Sequence, residues 1–156
     1  MLLSHTGGWQ LALPHLRLLT GEKPVSLLMN AAETPDVQAH VRGDDAGFHV
    51  ISPEAGPACV VEMVARLQKG EIVSIMGDRA YGGQTVDVSF LGNSARFPAS
   101  AFAVARAAQS PVLALFVAKT GVASYAMEAK LFEAPARDDR QSIRKGVGLF
   151  AEALES

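Results

Sequence analysis

Within the first ten residues, His5-Thr6-Gly7-Gly8-Trp9-Gln10 sets a histidine before two glycines and an amide. An imidazole at a strand end, with a helix starting just after it, stands where open α/β sheets form their binding crevice. Such a ring can take a proton from a hydroxyl near neutral pH, and the glycines let a ligand approach the backbone. A helix cap or an ordinary half-buried histidine would use the same residue. A second group, Gly77-Asp78-Arg79-Ala80-Tyr81-Gly82-Gly83, follows an apolar run and puts a carboxylate and a permanent cation beside flexible backbone. That composition suits a phosphate or polar headgroup, and it equally suits a solvated turn. The third group runs from Phe90 through Gly92 and Phe97-Pro98 to Ser100. Small residues there leave room for an acyl chain or a phosphate at a helix start, or for capping and close packing alone.

Other chemistries find less support. His15, His40 and His49 lack the spacing of a metal-binding helix, and the single Cys59 forms neither an internal disulfide nor a metal cluster. No metal and no cofactor are therefore expected, and Cys59 reads as a packing residue. A formal net charge of -2 leaves no basic excess for a nucleic-acid backbone, so nucleic acid is not an expected partner. No glycine-rich nucleotide fingerprint follows any apolar run. There is also no apolar stretch long enough for a membrane span and no basic leader, which predicts a soluble, cytoplasmic chain.

The elements that must hold these groups are legible as apolar runs. Strands are predicted at about Leu2–Ser4, Val25–Met29, Phe48–Ile51, Ile72–Met76, Val86–Phe90 and Val112–Val117, with Tyr125–Phe132 alternating as a half-exposed strand towards an edge. Helical spacing recurs over Gln10–Leu19, Val60–Leu67, Ala99–Ala108 and Ser142–Leu154. Pro98 suits a first helical turn, and Gly70 and Gly121 fall where element ends need unusual backbone angles. Strand and helix alternate, so the fold class is α/β. A single domain over residues 1–156 is expected, with a mixed, mostly parallel central sheet of about seven strands flanked by helices. The longest stretch without an assigned element is Ala31–Gly47.

Taken in order, the three groups resemble the lysophospholipid acyltransferase superfamily, and within it the lauroyl/myristoyl acyltransferases of lipid A biosynthesis. His5, Gly7 and Trp9 match that family's H-x-G-N-W-E form of H-x4-D/E; Gly8 replaces Asn and Gln10 replaces the acid. Gly77-Asp78-Arg79 is similar to its aspartate-bearing loop. Phe90-Leu91-Gly92 follows, and then Phe97-Pro98 opens a helix that ends before Ser110-Pro111-Val112. The resemblance spans about residues 1–135 and implies a glycerol-3-phosphate acyltransferase-like core without the family's N-terminal anchor and C-terminal segment. It implies acyl transfer from an acyl carrier protein or coenzyme A thioester to a hydroxyl of a glycolipid or lysolipid, with peripheral contact on the inner face of the cytoplasmic membrane. His5 and Gln10 would be the catalytic pair, and Asp78, Arg79, Gly92, Phe97 and Ser100 would bind substrate. Gln10 brings no charge to stabilise an imidazolium, and losing the carboxylate from a comparable pair lowers turnover about 10⁴-fold. Relatives often carry a basic residue near the end of the second strand, where this chain has Leu28-Met29-Asn30-Ala31. A non-catalytic lipid or acyl-carrier binding module built on the same fold is the alternative.

Overall fold

The computed structural model describes residues 1–5, 21, 23–30, 48–80 and 83–156. The predicted helix over Gln10–Leu19 lies outside them, as does the whole of the unassigned stretch Ala31–Gly47.

Eight strands form in the described residues: β1 (Leu2–Leu3), β2 (Val25–Leu28), β3 (Phe48–Ile51), β4 (Ile72–Met76), β5 (Thr85–Phe90), β6 (Asn93–Pro98), β7 (Val112–Lys119) and β8 (Tyr125–Phe132). Three helices join them: α1 (Pro57–Gln68), α2 (Ser100–Ala108) and α3 (Ser142–Glu155). A six-stranded sheet runs in the order β3-β2-β4-β1-β7-β8, parallel throughout except for β8. The expected α/β class and mostly parallel sheet are present.

The sheet separates two apolar layers because successive side chains leave a strand on opposite faces. Leu2, Val73, Ile75 and Ala114 turn to one face and meet Met63 of α1, Phe102 of α2 and Phe150 of α3. Leu3, Val25, Leu27 and Leu115 turn to the other, joined by Met29, Val50 and Met76. β1 is only two residues long, yet it lies between β4 and β7, with Leu2 and Leu3 each 1 % exposed.

One expected strand left the central sheet. Val86–Phe90 belongs to β5, which pairs antiparallel with β6 through the two-residue turn Leu91-Gly92, where both φ angles are positive (50° and 75°). Positive φ at both central positions is what the right-handed twist of a tight hairpin demands. Pro98 consequently closes β6 instead of opening a helix; Ala99 donates its N–H to Gln84 O, and α2 starts at Ser100. The hairpin is bound to the core by rings. Phe90 meets Phe97 edge-on at 5.3 Å between centroids, Phe97 meets Phe150 at 6.3 Å, and Phe150 stacks on Phe116 of β7 at 5.7 Å. Gly70, just past α1, has the expected left-handed φ of 79°, whereas Gly121 in the β7–β8 turn does not adopt a positive φ.

Candidate active site

Strand pairing brings the first two groups together. Leu2 lies opposite Ile75 and Leu3 opposite Met76 in a parallel ladder, and Gly77 N–H continues it to Leu3 O at 2.8 Å. Two residues further along each chain, this register sets His5 beside Asp78. The backbone N–H of His5 donates to Asp78 Oδ2 at 2.7 Å, and the ring Nδ1 lies 2.8 Å from Oδ1. A carboxylate only accepts hydrogen bonds, so the nitrogen facing it carries a proton and Nε2 is left as the ring's basic position. The side chains are 29 % and 16 % exposed, so solvent screens the pair only in part.

Gly77 makes this approach possible. A Cβ at that position would lie 2.6 Å from Leu2 Cδ1 and 3.0 Å from Phe150 Cε1, both in fully buried side chains. Without one, the end of β4 sinks against the core and Asp78 is left facing His5.

A cavity of about 410 Å³ opens beside this pair, outside the carboxyl ends of β1, β2 and β4. Its wall is chiefly apolar: Leu3, Leu27, Leu28 and Met29 from the strands, Cys59, Val60 and Met63 from α1, and Pro98 at the end of β6. His5, Asn30, Glu54, Ser74, Arg79 and Ser100 supply its polar groups. Glu54 is held in a short 3₁₀ turn, Pro53–Ala55, whose preceding Ser52 accepts a hydrogen bond from Glu54 N–H. An apolar chamber with a few convergent polar groups at the strand ends is the usual form of a small-molecule site in an open α/β sheet.

Of the residues singled out from sequence, His5, Arg79 and Ser100 line this one cavity, and Asp78 grips His5 from behind it. Phe97 is 5 % exposed and packs into the ring stack, while Gly92 sits in the β5–β6 turn beside a separate open groove lined by Arg144 and Gly148. Gln10 lies outside the described residues. Cys59 is buried, as a packing residue should be, but it also faces the cavity. The Asp78 partnership and the α1 wall were missed from sequence. The first depends on two non-consecutive strands lying side by side, and the second uses Val60 and Met63, whose spacing reads as ordinary core. Among the described residues no cluster of three or more His, Cys, Asp or Glu could hold a metal ion.

The model of one family, the bacterial lipid A biosynthesis acyltransferases, matches residues 1–149, nearly the whole chain. The chain belongs to that family. A search of curated proteins gave no match. Membership in the lipid A biosynthesis acyltransferases makes an acyl donor and a lipid acceptor the general substrate classes. Among the described residues, no helix is long and apolar enough to cross a membrane.

Proposed function

We propose that the chain transfers an acyl group from a carrier-protein or coenzyme A thioester to a hydroxyl of a glycolipid or lysolipid, with His5 as the base and Asp78 as the carboxylate that holds it. The observation that carries this reading is the two-point grip of Asp78 on His5 at the wall of an apolar cavity. Nε2 of His5 takes the acceptor's hydroxyl proton, and the alkoxide oxygen attacks the thioester carbonyl. The tetrahedral intermediate then expels the thiolate, which recovers the proton from the imidazolium, so the products are an ester and a free thiol. Asp78 fixes the ring's tautomer and stabilises its charged form, as the carboxylate of a His-carboxylate pair does. Arg79 brings a permanent positive charge to the same cavity, suited to the developing oxyanion or to an anionic headgroup. The apolar wall suits the acyl chain. With Asp78 in this position, a glutamine at position 10 does not leave the imidazole without a carboxylate.

The decisive experiment measures acyl transfer and thioester hydrolysis with medium- and long-chain acyl-carrier and acyl-CoA donors, for the native chain and for His5→Ala, Asp78→Asn and Gln10→Glu. Turnover by the native chain that disappears in His5→Ala supports the proposal. If neither the native chain nor Gln10→Glu turns over while acyl-carrier titration shows saturable binding, the chain is a binding module. Full activity in Asp78→Asn would remove Asp78 from the mechanism.

A further inference from the structure

β8 closes one edge of the six-stranded sheet, and its outer side pairs with no strand among the described residues. An uncovered edge is a template for another strand, and folded proteins usually blunt it with a bulge, a proline, a short length or charged side chains. Of these β8 has only the charges, one of each sign, Glu128 and Lys130. It runs for eight residues in unbroken register against β7, and seven of the eight are exposed.

Its two faces carry different chemistry. Glu128 and Lys130 lie opposite Phe116 and Ala114 of β7, and among the described residues neither enters an ion pair. On the other face Met127 and Leu131, opposite Val117 and Leu113, are 43 % and 69 % exposed.

We infer that β8 is a self-association edge, pairing antiparallel with β8 of a second copy about a two-fold axis at Ala129. In that register Glu128 faces Lys130 of the partner and Lys130 faces the partner's Glu128, while Met127 faces Leu131 twice over on the opposite face. Opposite charges and apolar pairs directly across an antiparallel ladder are both stabilising. The alternatives are worse. Moving the axis by one residue sets Glu128 against Glu128 or Lys130 against Lys130, and registers without a residue on the axis join residues that leave the sheet on opposite faces. A two-fold, self-complementary patch is the commonest form of homodimer interface, and edge-to-edge strand addition provides its main-chain bonds.

Sedimentation of the full chain over a wide concentration range tests the pairing. The native chain should approach twice the monomer mass. Glu128→Lys and Lys130→Glu, each of which turns both charged pairs repulsive, should raise the dimer Kd at least about tenfold. An equimolar mixture of the two variants should dimerise again, because every Lys then faces a Glu; the doubly exchanged variant should do so alone. A native chain that stays monomeric overturns the inference, as does a dimer indifferent to both reversals. Flotation with phosphatidylglycerol vesicles completes the test: a monomer whose vesicle binding is lost in Leu131→Ser would make β8 a lipid-facing edge and overturn it too.

Discussion

β1 and β8 belong to the same sheet and obey opposite rules. β1 has two residues, both buried, and is held by a strand on each side; β8 has eight, nearly all exposed, and among the described residues is held on one side only. The shorter strand holds the proposed base because its neighbours fix it. Leu2 and Leu3 fill both apolar layers, so His5 leaves the sheet at a position set by β4 and β7, with few residues of its own to flex. No residue of β8 lines the cavity. Precision here comes from enclosure, and adaptability from an open edge.

Substitutions can break that contrast at either end. The largest effect is expected on activity: Asp78→Asn should lower kcat on the order of 10⁴-fold with little change in melting temperature, read by acyl-transfer kinetics beside thermal unfolding. An equal loss of stability and activity would mean that Asp78 braces the fold and not the base. Next in size is Gly77→Ala, which forces a methyl into buried Leu2 and Phe150. Overpacking of this kind should cost about 2–3 kcal/mol and lower the melting temperature by roughly 4–10 °C, measured by denaturant and thermal unfolding. Gly146→Ala sharpens the comparison from outside the site, since its Cβ would lie 2.4 Å from Phe102 Cδ1. About 1–3 kcal/mol should be lost there while the kcat of the folded fraction is kept. Smallest of all, Leu131→Ser on β8 should change stability by less than about 0.5 kcal/mol in dilute solution and leave kcat unchanged. A large loss there would show that the edge strand supports the site after all.

How much of this was legible in the sequence follows the same division. β2, β3, β4 and β7 announce themselves as apolar runs because each buries residues against the core, and β8 as an alternating run, although only Phe132 of it is buried. β6 does not, since Asn93-Ser94-Ala95-Arg96-Phe97-Pro98 has a single large apolar side chain and a terminal proline. Its strand character comes from pairing with β5 and from the Phe97 ring in the core. His5 and Asp78 were each readable as strand-end residues with chemical potential, but not as partners. They are 73 positions apart, and only the placement of β1 beside β4 joins them. The cavity wall stayed hidden for a simpler reason: Met63 on α1 looks the same in sequence whether it meets another side chain or an empty chamber.

Asp78 receives both the main-chain N–H and the ring of His5, one on each oxygen. The amide proton of His5 is therefore wired to the same acceptor as the imidazole. Any event that swings the ring, whether proton uptake or the arrival of an acyl chain, must also change the field felt by that amide. Its resonance and its exchange rate with solvent form a built-in gauge of the state of the ring, readable without a chromophore or a bound ligand.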